Sequence, residues 1–184
     1  NEDLRIYRNS LLSERIATSD FVFFLAFDVG GSRYLEFHQH TFDFLHNNVS
    51  IMENVFHELN IHQTPFIFAS SQMSNMTYSP YGLAKAIGEK YTDVLCGLTV
   101  KFWNVYAPEH DEDKAHVITD FIQKAKKNNQ IDMLTDGQEV RQFLHGDDCS
   151  KCLYTLSQQF DMLDKQLEYH ITSFEWISIQ KIAQ

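Results

Sequence analysis

The chain has 184 residues, of which 43% are hydrophobic and 22% charged, and 25 Asp and Glu against 15 Lys and Arg give a formal net charge of -10. This composition predicts a folded globular protein with a substantial core and excludes a disordered or low-complexity chain. The acidic balance and the lack of a basic stripe argue against nucleic acid and anionic membranes as partners. The seven glycines spell no phosphate-binding loop.

The sequence gives no sign of export, of a membrane span or of a metal site. The longest strongly apolar run, residues 21–27, is too short to cross a bilayer, and the first residues lack the pattern of a signal peptide. Three cysteines are too few for a disulfide framework, and Cys149 and Cys152 have no second pair to complete a zinc site. Three histidines within 38–46 are assigned to a polar helix face. We expect a reduced, cytoplasmic protein without a bound metal.

Strands and helices alternate in the first half of the chain. Apolar runs at 21–27, 65–69 and 99–103 predict short strands, the first of them buried on both faces. Apolar residues spaced by three and four predict a helix over 41–59, and a serine followed by a proline begins a second helix over 80–96. This order predicts an α/β fold with a doubly wound parallel sheet. The wide apolar stripe of the first helix could cover the sheet on one side and meet a partner subunit on the other.

The second half of the chain, residues 109–184, is less regular. A polar stretch at 109–114 precedes a predicted helix over 115–127, and another helix is predicted near 147–159. Shorter segments are predicted at 131–134, 140–145 and 168–172. These elements indicate a smaller α+β lobe.

Polar residues follow the predicted strands at the sheet edge where open α/β folds bind ligands. Ser70 and Ser71 follow the second strand, and Asn104 follows the third. Tyr81 and Lys85 are four residues apart, which places both side chains on one helix face. An ammonium beside a phenol favours the phenolate, so Tyr81 is expected to exchange protons near neutral pH, with a serine hydroxyl as second donor to a substrate oxygen. The alternative is a surface contact, because a single Tyr-x-x-x-Lys pair is a weak motif.

Together, these motifs resemble those of the extended short-chain dehydrogenase/reductases, which include sugar-nucleotide epimerases, dehydratases and reductases. The matching segments are 21–26 with 29–32, 66–71, 79–85, 101–108 and 140–148. The resemblance implies that residues 1–108 form part of a Rossmann-like cofactor-binding and catalytic domain. Residues 109–184 would form part of a substrate-binding lobe, from which the chain could return to the sheet. The family's glycine-rich turn would precede residue 1, so we expect an N-terminally truncated sheet and a chain that could be a piece of a longer one.

The resemblance also implies roles for individual residues. The catalytic residues would be Ser71, Tyr81 as acid/base, Lys85 and Asn48. The residues that bind NAD or NADP would be Asp3, Leu4, Leu25, Ala26, Phe27, Ser70, Tyr81 and Lys85. The residues that bind a nucleotide-sugar substrate would be Gly31, Ser32, Gln72, Asn104, His116, Val117 and Arg141.

The role of Arg141 also has a physical basis. A buried guanidinium can bind two phosphate oxygens at once, and Arg141 has apolar neighbours in the chain. The alternative is a surface salt bridge, for example with Glu139.

Departures from the family pattern narrow the reaction. Gln72 and Met73 stand where dehydratases carry an acid pair, and neither can donate and take the protons of water elimination. Met73 also stands near the cysteine of reductases that epimerise next to a keto carbon. Those reductases also use a histidine, in a segment that resembles the one beginning at His116. Because the histidine is present and the cysteine is not, His116 could transfer a proton or only contact the sugar.

We therefore predict an NAD(P)-dependent nucleotide-sugar epimerase or keto-sugar reductase, with hydride transfer at one sugar carbon and Tyr81 as acid/base. The alternative is a non-catalytic, truncated relative that binds a nucleotide sugar or a protein partner. A homodimer through the helices at 41–59 and 80–96 is expected.

Overall fold

The computed structural model describes residues 3–184 as an alternation of helices and strands. The α-helices are α1 (Ser10–Ala17), α2 (Ser32–His38), α3 (Phe42–His62), α4 (Pro80–Val94), α5 (Val117–Asn128), α6 (Gly146–Gln158) and α7 (Ile179–Ile182). The strands are β1 (Val22–Phe24), β2 (Phe66–Ser71), β3 (Leu98–Phe102), β4 (Asn104–Tyr106), β5 (Val140–His145), β6 (Tyr169–Ile171) and β7 (Trp176–Ser178). Within these residues, no helix is both long and apolar enough to cross a membrane.

The main sheet has four strands in the order β1-β2-β3-β6, and every neighbouring pair is parallel. α3 connects β1 to β2, and α4 connects β2 to β3. Parallel neighbours need such crossover connections, which bring the carboxyl ends of the strands to one edge of the sheet. The predicted α/β fold with a parallel sheet is confirmed.

Helices cover both faces of this sheet, because successive side chains of a strand point to opposite sides. Phe66 and Phe68 of β2 pack with α1, α3 and α4. Ile67, which lies between them, packs with Cys149 and Leu153 of α6 on the other face. Each fully buried large apolar side chain of this kind stabilises the fold by about 1.5–3 kcal/mol.

A second, smaller sheet has the order β4-β5-β7, with β4 parallel and β7 antiparallel to β5. After β5 and α6, the chain returns to the main sheet as β6, where Tyr169 is paired with Val100 of β3. The two units predicted from the sequence therefore share one sheet. Their boundary at residue 108 stays a prediction.

Helix ends and short helices account for most differences from the predicted elements. The helix predicted over 41–59 extends to residue 62 and ends where Gln63 adopts the left-handed conformation, with φ 54°. The segment predicted at 131–134 is irregular. The sequence interpretation missed α1 and α2, which have only 8 and 7 residues and so give little periodicity. The N-cap residue Asn9 fixes the start of α1, because its side chain accepts hydrogen bonds from the backbone N–H groups of Leu11 and Leu12.

Candidate active site

The start of α4 is packed against the turn that follows β2. This turn is a short 3-10 helix, Gln72–Asn75. The Ser79 hydroxyl caps α4 by accepting the N–H of Gly82 at 3.1 Å. A Cβ atom on Gly82 would collide with the carbonyl oxygen of Met73, so only glycine allows this approach. The close packing brings Tyr81, in the first turn of α4, to the carboxyl end of β2.

Ser71 and Tyr81 are neighbours at this point, where the serine side chain lowers the pKa of the phenol. The Ser71 oxygen also accepts the backbone N–H of Met73 at 3.1 Å. Ser70, its neighbour in the strand, instead donates its hydroxyl to the carboxylate of Glu89. The structure therefore brings together Ser71 and Tyr81, as predicted from the sequence, and separates Ser70 from them.

Lys85 lies one helical turn after Tyr81 and is only 4% exposed. Its ammonium donates to the carbonyl oxygen of Ala69 at 2.6 Å and lies 3.7 Å from the centre of the Phe27 ring. Burial lowers the pKa of Lys85 to about 7, although the negative charge of Glu89 opposes the shift.

The acidity of Tyr81 differs from the expectation. Burial raises the pKa of Tyr81 to about 12, and the hydrogen bond with Ser71 only partly offsets this. The expectation that Lys85 would let Tyr81 exchange protons near neutral pH is therefore wrong for this structure. The Lys85 nitrogen lies 5.9 Å from the centre of the Tyr81 ring, and the cost of burying a phenolate exceeds any attraction across that distance.

Asn48 fixes the backbone that follows β1. Its side chain is completely buried. The amide oxygen accepts the N–H of Asp28 at 2.7 Å, and the amide nitrogen donates to the carbonyl oxygens of Asp28 and Phe44 at 3.1 and 3.0 Å. Asn48 thus supports the loop next to Phe27, and its side chain makes no hydrogen bond to Tyr81 or Lys85.

A cleft of about 440 Å³ lies beyond the carboxyl end of β1, and we call it the β1 cleft. Its lining residues are Arg5, Ala26, Phe27, Asp28, Asn47, Ile51 and Lys114. Of the residues predicted to bind the cofactor, Ala26 and Phe27 line the cleft. Asp3 adjoins it through an ion pair with Arg5 at 2.8 Å. Leu4 packs on the core, and Leu25 is half-exposed outside the lining.

The donor groups around the β1 cleft suit part of a dinucleotide. Arg5 and Lys114 are cationic groups that can meet phosphate oxygens. The buried ammonium of Lys85 lies directly behind Phe27, where it could donate to ribose hydroxyls. Apolar Ile51 and Phe27 can contact a flat ring.

A second cavity of about 430 Å³ lies between α2, α5 and the smaller sheet, and we call it the lobe cavity. Ser32, Asn104, Val117 and Arg141, four of the residues predicted to bind substrate, line it. Gly31, also predicted to bind substrate, is not part of the lining of this cavity. Its N–H donates to the Lys114 carbonyl at 3.0 Å, and a Cβ on Gly31 would collide with the carbonyl oxygen of Ala115. Gln72 and His116 are likewise outside the lining.

The surroundings of Arg141 differ from both interpretations of the sequence. The residue is exposed rather than buried, and its guanidinium donates to the carbonyl oxygen of Val140 at 2.8 Å. Between residues 3 and 184, no carboxylate lies within ion-pair distance of Arg141, so the alternative salt bridge with Glu139 is not formed. β5 carries Arg141 in its exposed first part, at the edge of the lobe cavity, which leaves the side chain open to solvent.

His116 has a partner that the sequence interpretation missed. Its Nδ1 lies 2.5 Å from a carboxylate oxygen of Glu109, and its backbone N–H donates to the other oxygen at 2.9 Å. Burial would raise the pKa of Glu109, but the hydrogen bonds from His116 outweigh this and lower it. Such a carboxylate orients an imidazole.

Three further residues of the site were not anticipated. They are Asp28, Glu89 and Lys114. Glu89 had a detectable signal, because it lies four residues after Lys85 on the same helix face. Asp28 and Lys114 are too far apart in sequence for any spacing rule to connect them.

Comparison with known proteins was informative for the family and for the fold. The sequence profile described as "NAD dependent epimerase/dehydratase family" matches residues 3–172. A protein of Methanocaldococcus jannaschii, provisionally named a UDP-glucose 4-epimerase, is 36% identical over 80 residues, which are 40% of this chain and 26% of that protein.

Solved structures share the fold at low sequence identity. They include TunA, an NAD-dependent NDP-hexosamine 5,6-dehydratase, with TM-score 0.79, 16% identity and coverage of 98% of this chain and 62% of that one. MoeE5 in complex with UDP-glucuronic acid and NAD has TM-score 0.77, 18% identity and coverage of 99% and 65%. The Bifidobacterium longum UDP-glucose 4-epimerase with NAD+ and UDP has TM-score 0.72, 16% identity and coverage of 98% and 64%. The chain thus spans less than two thirds of each of these proteins.

Proposed function

Because the chain belongs to the NAD-dependent epimerase/dehydratase family, as its motifs predicted, we propose that it is the catalytic part of an NAD(P)-dependent enzyme acting on a nucleotide-linked sugar. The reaction would be epimerisation or keto-sugar reduction at one sugar carbon. The observation that carries the proposal is the cluster of the buried residues Ser71, Tyr81 and Lys85 at the carboxyl end of β2.

The protonation of Tyr81 favours one direction of proton transfer. When bound, the nicotinamide ring supplies or accepts a hydride. With a pKa of about 12, Tyr81 is a phenol at neutral pH and is ready to donate a proton to a sugar oxygen. The Ser71 oxygen accepts the Met73 N–H, and its one proton, which can point to the Tyr81 oxygen, would turn to a substrate oxygen when a sugar binds. These states suit reduction of a keto sugar better than removal of a hydroxyl proton.

The lobe cavity is the proposed site of the nucleotide sugar. Asn104, Val117 and Arg141 line it, and the Arg141 guanidinium has the geometry to bind two phosphate oxygens. MoeE5 and the Bifidobacterium longum epimerase bind UDP-glucuronic acid and UDP, which makes a uridine-linked sugar the first substrate to try. Gln72 lies in the turn after β2 and cannot act as an acid, so we propose no dehydration.

We also propose that two copies of the chain pair through α3 and α4. These helices contact each other, and each leaves apolar side chains at least 40% exposed. The side chains are Phe42, Leu45, Val49, Leu83, Ile87, Tyr91 and Val94. An exposed apolar surface of this extent on a helix pair is typical of a subunit interface.

The decisive experiment compares Tyr81→Phe with Tyr78→Phe in the purified protein. UDP-hexoses or their keto forms are supplied with NAD or NADPH. Keto-sugar reduction is followed by the loss of absorbance of the reduced nicotinamide, and epimerisation, which leaves the cofactor unchanged, by chromatography of the sugar products. We expect Tyr81→Phe to reduce turnover by about 10²–10⁴-fold, and the exposed Tyr78 to be replaceable without loss. Turnover that survives Tyr81→Phe would contradict the proposal.

A second candidate function is binding without catalysis. The observation that favours it is the burial of both reactive groups, with Tyr81 only 8% exposed. Calorimetry with a UDP-sugar distinguishes the two functions. Binding that is weakened by Arg141→Gln, with no turnover under any cofactor condition, would support this second candidate.

A further inference from the structure

The Phe27 ring separates the reactive groups from the β1 cleft. Phe27 lines the cleft, whereas Tyr81 and Lys85 do not. The face of the ring lies 3.7 Å from the Lys85 ammonium, and its centre lies 5.8 Å from that of the Tyr81 ring, at 77° to it. A molecule in the cleft therefore meets Phe27 before it meets Lys85.

The ammonium of Lys85 has two partners in this arrangement. One is the Ala69 carbonyl oxygen and the other is the face of Phe27, which attracts a cation through its ring electrons. The ring of Phe68 lies farther away, at 5.1 Å, and cannot replace Phe27 as the near contact. Phe27 thus completes the enclosure that makes Lys85 a buried cation.

The backbone beneath Phe27 cannot move easily. Asn48 holds both the N–H and the carbonyl oxygen of Asp28, the next residue, through its buried side chain. Access to Lys85 therefore depends on rotation of the Phe27 side chain, not on movement of the loop. The cleft of about 440 Å³ beside the ring gives it space to turn.

We propose that Phe27 is a positioning residue that covers the Lys85 ammonium and has to be displaced before a ribose hydroxyl of a dinucleotide can reach it. This inference rests on the proposed function for the dinucleotide, but the covering of Lys85 is a property of the chain alone. Removal of the Phe27 ring exposes Lys85, and a dinucleotide then no longer competes with the ring for the ammonium.

Lysine acetylation tests the covering without any cofactor. Each protein is treated with acetic anhydride, and the labelling rate of every lysine is measured by peptide mass spectrometry. We expect Phe27→Ala to raise the rate at Lys85 at least tenfold and to leave Lys101, which is 1% exposed, unchanged. Phe27→Tyr, which keeps the ring face, is expected to behave like the wild type. Phe23→Ala removes an exposed ring from β1, just before the loop that carries Phe27, and is the matched control.

Two outcomes overturn the covering. One is an unchanged rate at Lys85 in Phe27→Ala, and the other is a parallel rise at Lys85 and Lys101, which would indicate general loosening. If Phe27→Ala does not fold, Phe27→Val is used with the same criteria.

Dinucleotide binding then tests the displacement. Calorimetry with NAD and NADP is expected to give several-fold tighter binding to Phe27→Ala than to the wild type, and equal or weaker binding overturns the displacement. If neither NAD nor NADP protects Lys85 from acetylation in Phe27→Ala, the proposed function is contradicted instead. The acetylation result without cofactor is independent of that failure.

Discussion

The Lys114 ammonium lies 2.8 Å from a carboxylate oxygen of Asp28 and so joins the loop after β1 to the segment before α5. Tyr34 and Asn47 donate to the same carboxylate at 2.7 and 3.1 Å. This ion pair crosses the mouth of the β1 cleft and connects the two halves of the chain.

The Asp28–Lys114 pair predicts a pH-dependent contribution to stability. Burial would raise the pKa of Asp28, but hydrogen bonds from Lys114, Asn47 and Tyr34 outweigh this and lower it below 3.8. A lowered carboxyl pKa stabilises the fold above the unfolded value, and this stability is lost as the pH falls through the folded value. Lys114→Met should therefore cost about 0.5–1 kcal/mol at neutral pH and almost nothing once Asp28 is protonated.

Urea unfolding from neutral pH to about pH 3 measures this difference. Lys126→Met removes an exposed lysine from α5 and is expected to change nothing. A loss in Lys114→Met that persists unchanged at acid pH would disprove the role of the pair.

Asn48 is predicted to be the most sensitive polar residue of α3. Asn48→Ala would leave the N–H and carbonyl oxygen of Asp28 and the carbonyl oxygen of Phe44 without these bonds, which should cost about 3 kcal/mol. Asn60→Ala, at an exposed position of the same helix, is expected to cost less than about 0.5 kcal/mol. Chemical unfolding measures both, and equal losses would refute the prediction.

Lys85 is predicted to make the protein less stable as the pH falls from 10.5 towards 7. Burial lowers the pKa of Lys85 from 10.5 to about 7, so in this range the unfolded chain holds a proton that the folded chain does not. Stability therefore rises with pH through the window, by at most about 1.4 kcal/mol per pH unit. Lys85→Met should abolish this slope, whereas Lys90→Met, at a fully accessible lysine of the same helix, should keep it. If the free energy of unfolding rises with pH as steeply in Lys85→Met as in the wild type, the effect is ruled out.

The proposed dimer predicts that a charged substitution in its interface lowers the mass of the protein measured in solution. Ile87→Glu places a charge within the exposed apolar surface of α3 and α4 and should convert a dimer to a single chain of 21.5 kDa. Val140→Glu alters a similarly exposed apolar residue on β5 and should leave the dimer intact. Sedimentation equilibrium gives the masses. A wild type that sediments as one chain at all concentrations would exclude the dimer.

Local patterns were sufficient for the strands of the main sheet, the long helices and the central residues of the site, but they did not indicate β4 or β7. β2 is an apolar run that ends in Ser70 and Ser71, and α4 begins at a serine and a proline, so both boundaries follow from neighbouring residues. The parallel arrangement of strands then brings Ser71 to Tyr81. No contact between distant residues is needed for that step.

Burial and ion pairs could not be derived in the same way. The acidity of Tyr81 and Lys85 depends on burial, to which Phe27 contributes from the loop after β1. The Asp28–Lys114 pair depends on how the lobe folds back on the sheet. A spacing rule places side chains on one face of an element but does not tell what packs against that face, and solvation decides the pKa.

The position of β6 sets an order on the assembly of the protein during synthesis. Val100 of β3 is paired with Tyr169, so the outer edge of β3 has no strand to bond with until nearly the whole lobe has left the ribosome. An unpaired parallel edge can join a second nascent chain. The lobe therefore has to fold promptly for the sheet to close within one molecule, and slow synthesis between β3 and β6 would lengthen the exposure of that edge.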